Sequence, residues 1–169
     1  MGMIAEYLMI DKETLNKLTN LDNEDLTNEI FEIEESQKFS FFDIDKIWDA
    51  LHCFLTGVSA SEPIEDDKLS EAIVGIHTFI EEDDDADFIS YTKNEELAEI
   101  IKVLENIDFE SLSASFDPII LKKKKIYPSG IWKENKESLL EEFKDALGEI
   151  LSFYKQALKD EHHVVVSIL

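Results

Sequence analysis

Residues 43–57 read DIDKIWDALHCFLTG, and this stretch decides the fold class. Its apolar residues recur at the three- and four-residue spacing that places side chains on one face of an α-helix. They are Ile44, Ile47, Trp48, Leu51 and Leu55. Gly57 follows as a helix C-cap, because glycine readily adopts the left-handed backbone that ends many helices. The sequence therefore predicts an amphipathic helix whose apolar face packs on a core.

A longer helix is predicted near the C-terminus, over Asn135–Lys159. Its apolar side consists of Leu139, Leu140, Phe143, Leu147, Ile150, Leu151, Tyr154 and Leu158. The β-branched run His163–Leu169 then ends the chain, and the short apolar segment Ile4–Ile10 begins it. An isolated strand cannot satisfy its backbone hydrogen bonds, so we expect both segments to pair within one sheet. The predicted fold class is α+β, with a small mixed sheet that uses the N- and C-terminal strands and is packed by several amphipathic helices.

The remaining elements are predicted from helix caps and apolar spacing. Asp11 caps a helix that begins at Lys12, and Thr92-Lys93-Asn94-Glu95 matches a capping box that opens a helix to Asn106. Residues 69–76 suit either a helix or a short buried strand, and we favour the strand. Further predicted segments are a helix over Asp22–Glu35, a strand over Phe88–Tyr91 and a short helical turn over Phe109–Phe116.

Length and composition indicate one domain. The chain has 169 residues, of which 44% are hydrophobic and 33% charged, and such a composition buries enough apolar surface to fold. Segment Val58–Lys68 is rich in serine, proline and aspartate and has the chemistry of a loop rather than of a domain linker. No internal repeat is visible, so we predict a single domain over residues 1–169.

The charge balance limits the classes of partner. Lysine and arginine together number 16 and aspartate and glutamate 39, which gives a formal net charge of −23, and every basic residue is a lysine. Arginine supplies the bidentate contacts used in phosphate and guanine recognition, so direct nucleic-acid binding is disfavoured. The same field repels an anionic membrane surface and attracts basic proteins. We therefore expect a basic protein as partner, and we leave the oligomeric state open.

The cellular location is inferred from three features. The N-terminus lacks the basic start of a signal peptide, and its apolar run is interrupted at Glu6 and Asp11. No window reaches the roughly 18 uninterrupted apolar residues that a membrane-spanning helix needs. The single cysteine, Cys53, lies among apolar neighbours in a predicted helix and cannot form an intrachain disulfide. We expect a buried thiol and a cytoplasmic protein.

Residues 81–87 contain six carboxylates in seven positions and predict a solvated loop. Asp83, Asp84, Asp85 and Asp87 are of the residue type that calcium prefers, but the central glycine and terminal glutamate of an EF-hand are missing. Transition-metal ligand spacings and glycine-rich phosphate-binding patterns are missing as well. The sequence therefore indicates neither a metal nor a cofactor.

The segment from Trp48 to Gly57 resembles the Trp-(Asp/Glu)-x-Leu-His-x-x-Leu-Thr-Gly pattern of the bacterial YfbM-like family. The resemblance spans essentially the whole chain and is supported by Met1-Gly2-Met3-Ile4, Leu69–Gly75, Tyr91-Thr92 and Ile126-Tyr127-Pro128. It implies a cytoplasmic α+β domain of unknown function, and it transfers no catalytic residues. The acidic segment 81–87 is denser in carboxylates than the family pattern, so a partner bound there would be particular to this chain.

A candidate pocket is suggested by Trp48, His52 and Thr56, which are spaced by four residues along one row of the predicted helix. An imidazole beside an indole and a hydroxyl could bind a small ligand or move a proton. Tyr91 joins this set, and so does His77 if the fold brings it near His52. The competing interpretation places Trp48 in the core and lets His52 tie its helix to a loop through a hydrogen bond.

Two functions are compatible with these features. The first is a protein-interaction module whose acidic surface binds a basic protein, as an inhibitor or an immunity protein would. The second is a small-ligand-binding protein or enzyme with a pocket around Trp48 and His52. We favour the first because the net charge of −23 is the more unusual property.

Overall fold

The computed structural model describes residues 2–81, 83 and 85–169. Within this part of the chain, eight α-helices pack on a five-stranded antiparallel sheet, and the predicted α+β class is confirmed. The strands are β1 (Ala5–Ile10), β2 (Phe41–Asp43), β3 (His77–Thr78), β4 (Phe88–Thr92) and β5 (His163–Ile168). The helices are α1 (Lys12–Leu18), α2 (Asn23–Ser36), α3 (Trp48–Thr56), α4 (Lys68–Val74), α5 (Asn94–Glu105), α6 (Phe109–Ser115), α7 (Ile119–Lys123) and α8 (Lys136–Lys159).

The strand order is β2-β1-β5-β4-β3, so the strands from the two chain termini lie side by side within the sheet. Their register pairs Ala5 with Ile168 and Ile10 with His163, as the β-branched C-terminal run predicted. The prediction of a mixed sheet was wrong, because all the described strand pairs are antiparallel. Helices α1 and α2 bring the chain back to the end that β1 has just left, where Ser40 accepts a hydrogen bond from Met9. A parallel neighbour would have needed a crossover to the opposite end.

The sheet carries a hydrophobic core on each face. Side chains alternate along β1, so Tyr7 and Met9 belong to the larger core while Leu8 and Ile10 belong to the smaller one. Helices α3, α4, α5 and α8 cover the larger core, and α1 and α2 cover the smaller. The predicted apolar faces of α3 and α8 therefore share one core against the sheet.

Helix ends follow the predicted caps. The Asp11 carboxylate accepts a hydrogen bond from the Thr14 N–H at 2.8 Å and begins α1. Gly57, with φ of 84°, ends α3 in the left-handed conformation. The Asn135 side chain accepts a bond from the Ser138 N–H at 3.1 Å and begins α8.

The preference for a strand over residues 69–76 was wrong, because Lys68–Val74 forms α4. Asp67 caps this helix, and every residue of Ser70–Val74 is buried, so the segment shows no polar face to reveal its helical period. Tertiary contacts also fix its C-terminal end. The hydroxyls of Tyr7 and Tyr154 donate hydrogen bonds to the carbonyls of Ile73 and Ala72, respectively.

The capping box at the start of α5 lies one residue later than predicted. The Lys93 N–H donates to Glu96 Oε1 at 2.9 Å, so Lys93 is the N-cap residue and Glu96 supplies the half of the box that returns to the N-cap backbone. The lysine side chain has no acceptor atom and cannot supply the other half. Thr92 instead ends β4 as a fully buried residue. Its pairing with Val164 of β5 keeps it in the sheet.

Candidate functional site

Trp48 begins α3 and is only 7% exposed. Its indole Nε1 donates a hydrogen bond to the Met3 carbonyl at 3.1 Å, and its ring stacks on Tyr127 with 5.3 Å between centroids. The Tyr127 hydroxyl in turn accepts a bond from the Met3 N–H at 2.8 Å. Trp48 is thus part of the core, as the competing interpretation predicted. It also holds the N-terminal segment against that core.

His52 lies in the middle of α3 and is fully buried. Its Nδ1 atom lies 2.9 Å from the Val58 carbonyl oxygen, and its Nε2 atom lies 2.8 Å from Ser70 Oγ. A carbonyl oxygen only accepts, so Nδ1 carries the proton and Nε2 accepts from the Ser70 hydroxyl. Burial lowers the pKa of His52, which favours this neutral form. His52 ties α3 both to the loop that follows it and to α4.

Thr56 lies one helical turn beyond His52, as the four-residue spacing predicted. Its hydroxyl donates to the His52 backbone carbonyl at 2.8 Å and lies 3.2 Å from His52 Nδ1. It therefore supports the histidine from the end of the helix.

Ser70 connects this buried network to an open cleft. Its Oγ accepts a hydrogen bond from the Ile64 N–H at 3.0 Å while its hydroxyl proton points to His52. Ser70 is itself buried, yet it borders a cleft of about 430 Å³ between the loop over residues 63–66, α4 and the strands β3 and β4. We call this space the α4 cleft. It is lined by Pro63, Ile64, Glu65, Asp66, Ser70, Glu71, Val74, Gly75, Ile76, His77, Thr78, Phe88 and Ser90.

His77 lines the α4 cleft and contacts Tyr91, which does not line it. They lie opposite each other on β3 and β4, with ring centroids 5.0 Å apart. His77 Nε2 lies 2.8 and 3.0 Å from the two carboxylate oxygens of Glu96, so it carries a proton that it donates to Glu96. The structure therefore divides the five predicted residues into two groups, one around His52 and one around His77. Ser70 links them, because it bonds to His52 and borders the same cleft as His77.

Asp49 was not predicted as a key residue from the sequence, although it is only 4% exposed. Its Oδ1 accepts bonds from the Ser59 hydroxyl at 2.8 Å and the Ala60 N–H at 2.7 Å. Its Oδ2 accepts a bond from the Tyr127 N–H at 2.8 Å. The sequence signal that could have identified Asp49 is its position next to Trp48 on a predicted core helix. A carboxylate buried there needs several hydrogen-bond donors.

A half-buried acid, Glu34, lies between α2 and the sheet. The Glu34 carboxyl lies beside Glu6 of β1, and its Oε1 has no hydrogen-bond partner among the described residues. Burial, followed by the neighbouring Glu6 carboxylate, raises the pKa of Glu34 to about 8. Glu34 therefore holds a proton at neutral pH.

The outward side of α2 forms what we call the acidic α2 face. It exposes Glu24, Asp25, Glu32 and Glu35 together with Phe31, which is 46% exposed. No lysine or arginine occurs within the α2 sequence, but Lys17 pairs with Glu29, and Lys17 and Lys38 line a cleft together with Glu32. Aromatic residues are enriched in protein–protein interfaces.

Part of the acidic segment 81–87 packs beside the start of α2. The Thr27 hydroxyl donates to Asp87 Oδ2 at 2.8 Å, and the Asp87 N–H donates to Asn23 Oδ1 at 3.1 Å. Glu82 and Asp84 lie outside the described residues. The calcium interpretation of segment 81–87 therefore falls partly outside the described residues. In the described part of the chain, no three histidine, cysteine, aspartate or glutamate side chains are grouped to hold a metal ion.

Cys53 is buried on α3, as predicted, and burial raises the pKa of its thiol to about 11. A thiol with such a pKa is a poor nucleophile at neutral pH. Across the described ranges, the helices are too short or too polar to traverse a bilayer.

The fold and the buried His52 network define an α+β domain in which helices cover both faces of an antiparallel sheet joined at the chain termini. Residues 1–167 match the family described as Domain of unknown function (DUF1877), and the chain belongs to this family. It is 34% identical over 170 residues to Protein YfbM of Escherichia coli (strain K12), with 100% of this chain and 99% of that protein covered. The crystal structure of YfbM from Escherichia coli, a protein of unknown function, has a TM-score of 0.80 at 30% identity, covering 99% of this chain and 100% of that one. The resemblance to the YfbM-like family is confirmed.

Proposed function

We propose that this chain is a protein-interaction module that binds a basic protein through the acidic α2 face. The observation that carries the proposal is an exposed aromatic side chain, Phe31, on a helix that also exposes four carboxylates and contains no lysine. The net charge of −23 attracts a cationic partner over long range, while Phe31 supplies apolar contact area at short range. An inhibitor or immunity-like role would use this same chemistry.

The proposal is tested by reversing charge on the acidic α2 face alone. We expect the triple variant Glu24→Lys, Glu32→Lys and Glu35→Lys to lose the basic proteins that the unaltered chain captures and cross-links in lysate at low salt. The matched control is Glu110→Lys, Glu137→Lys and Glu141→Lys, which changes the net charge equally at exposed positions outside α2. Equal loss in both variants, or capture of no specific partner by the unaltered chain, would overturn the proposal.

The second candidate is a small-ligand-binding protein or enzyme, and the α4 cleft is the observation that favours it. The cleft is bordered by His77 from the predicted pocket and by Ser70, which bonds to His52. Trp48 does not line it. A metabolite screen by thermal shift tests this function, since a ligand that binds only the folded chain raises the melting temperature. We expect any true ligand to lose its effect in Thr78→Trp, which fills the cleft from an exposed position.

We also propose a cytoplasmic location and no direct contact with nucleic acid or membrane. The free Cys53 thiol supports a reducing compartment, and the excess of carboxylates disfavours polyanionic partners. Fractionation of cells that express the tagged chain, with and without nuclease, tests both statements.

A further inference from the structure

Strand β2 forms one edge of the sheet, and its outer side pairs with no strand in the described part of the chain. The Met9 N–H donates to the Ser40 carbonyl, and the Ile44 N–H donates to the Ala5 carbonyl. In an antiparallel ladder alternate residues face the neighbouring strand, so Ser40, Phe42 and Ile44 point their backbone groups toward β1. The N–H and C=O groups of Phe41 and Asp43 therefore point away from the sheet.

A groove of about 600 Å³ runs between this free edge and α8. We call it the β2–α8 groove. Its floor is aromatic, because Phe42 stacks on Tyr7 with centroids 5.1 Å apart and lies 4.8 Å from Phe153 of α8. Phe41 stands beside it with 43% of its side chain exposed. The groove is lined by Met9, Ser40, Phe41, Phe42, Asp43, Glu149, Ser152, Phe153 and Gln156.

Apart from its length of three residues, the strand carries little of the protection that free edges usually have. Edge strands commonly carry lysine or proline, which discourage pairing, but residues 41–43 are Phe-Phe-Asp. The charges that line the groove are those of Asp43 and Glu149, and no lysine from the described residues lines it. A free backbone edge beside an aromatic floor matches the mode in which an extended peptide adds a strand to a sheet.

The charge decides which segment fits. A second copy of this chain would bring another net charge of −23 against carboxylates at the same edge, which repels it. A segment that alternates apolar and basic residues would instead place apolar side chains over Phe42 and Phe153, because alternate side chains of a strand face the same side. Its lysine or arginine side chains would lie on the opposite side, where Asp43 alternates with Phe42 along β2, while Glu149 on the groove wall adds to the attraction without direct contact.

We propose that the β2–α8 groove binds an extended segment of a basic protein, of alternating basic and apolar residues, as an added strand paired with β2. This proposal rests on the proposed function only in that the partner is basic. It places the binding at the β2–α8 groove rather than at the acidic α2 face. Binding at this edge would satisfy the outward backbone groups of Phe41 and Asp43.

A short, end-blocked peptide of alternating lysine and valine is the probe. We expect fluorescence anisotropy to show binding, and we expect hydrogen exchange at the amides of Phe41 and Asp43 to slow in the complex. Glu149→Lys should weaken binding about tenfold more than Glu141→Lys, which alters the same helix by the same charge outside the groove. Phe41→Pro removes an outward N–H while leaving the bonds to β1, so it should bind more weakly than Phe41→Ala.

A peptide control keeps the test independent of how well any variant folds. N-methylation of alternate residues blocks one edge of the peptide, so methylating one alternate set should abolish binding while methylating the other should preserve it. Equal effects of the two sets, or of Glu149→Lys and Glu141→Lys, would reduce the binding to general charge attraction and overturn the proposal. So would no binding of the probe. Loss of binding in the triple α2 variant but not in Glu149→Lys would support the proposed function and overturn the groove.

Discussion

The buried carboxylate of Asp49 joins three parts of the chain that are distant in sequence: α3, the loop at Ser59 and Ala60, and the segment at Tyr127. Such a group is stable inside a protein only while its oxygens are hydrogen-bonded. The donors also need Asp49 as their acceptor, because the backbone N–H groups of Ala60 and Tyr127 lie near the core.

We predict that Asp49→Ala destabilises the fold by about 3 kcal/mol, since it leaves buried donors without an acceptor. Asp49→Asn should destabilise the fold less, because its amide oxygen still accepts the hydrogen bonds that one of the two carboxylate oxygens accepted. Urea denaturation measures both effects. Glu141→Gln, at an exposed position, serves as the control and should change stability little; a similar loss in all three variants would contradict the role of Asp49.

Glu34 provides a prediction about pH. Its pKa is about 8 in the folded chain against an ordinary value of 4.5, so the folded state binds its proton more tightly than the unfolded state does. The stability that the folded state gains from protonated Glu34 is fully present below pH 4.5 and is lost as the pH rises through 8. Above that pH both states have lost the proton, and the contribution no longer changes.

We therefore expect Glu34→Gln to be more stable than the unaltered chain at pH 8, by about 1 kcal/mol once solvent screening of a half-buried group is considered. The advantage should shrink toward pH 4.5. Thermal unfolding across this pH range measures it, with Glu35→Gln on the exposed side of α2 as the charge-matched control. A gain of equal size in the control would show that only the net charge matters.

At the scale of elements, the C-terminal end of α4 requires a glycine at position 75. Gly75 follows it with φ of 76°, a backbone conformation that favours glycine. A Cβ there would also press on Ser90 Oγ, whose hydroxyl donates to the Val74 carbonyl. The exit from α4 into β3 therefore requires glycine for two reasons, and it shapes one wall of the α4 cleft.

We predict that Gly75→Ala destabilises the chain by about 2 kcal/mol, from the strained backbone and the contact with Ser90. Gly148→Ala is the matched control, because it lies inside α8 with open space where a Cβ would stand. It should stabilise by about 0.5–1 kcal/mol through lower unfolded-state entropy and better helix propensity. Chemical denaturation of the two variants should give opposite signs, and equal signs would contradict this account.

At the scale of the whole molecule, the net charge of −23 opposes compactness through self-repulsion. We predict that the melting temperature rises by several degrees as sodium chloride is added from low to physiological ionic strength, because salt screens exposed charges. Differential scanning fluorimetry measures the rise. The control variant with Glu110, Glu137 and Glu141 changed to Lys should show a smaller rise, and a falling melting temperature would contradict the prediction.

Features that depend on near neighbours in the chain could be predicted from the amino-acid sequence. The apolar spacing of Trp48, Leu51 and Leu55 placed α3, and the caps Asp11 and Gly57 placed helix ends, because helix faces and caps are built from residues a few positions apart. Burial of Cys53 followed for the same reason. The β-branched C-terminal run also indicated correctly that the two termini share a sheet.

Contacts between groups that are distant in the chain could be seen only in the folded structure. The tertiary structure made the sheet antiparallel, added the short edge strands β2 and β3, turned residues 68–74 into a helix and paired His52 with Ser70. These outcomes depend on contacts between segments far apart in the chain, whose energies are invisible to local spacing. The candidate surfaces follow the same rule: carboxylates can be counted in a sequence, but a cleft, a free edge and an exposed Phe31 exist only once helices and strands have packed.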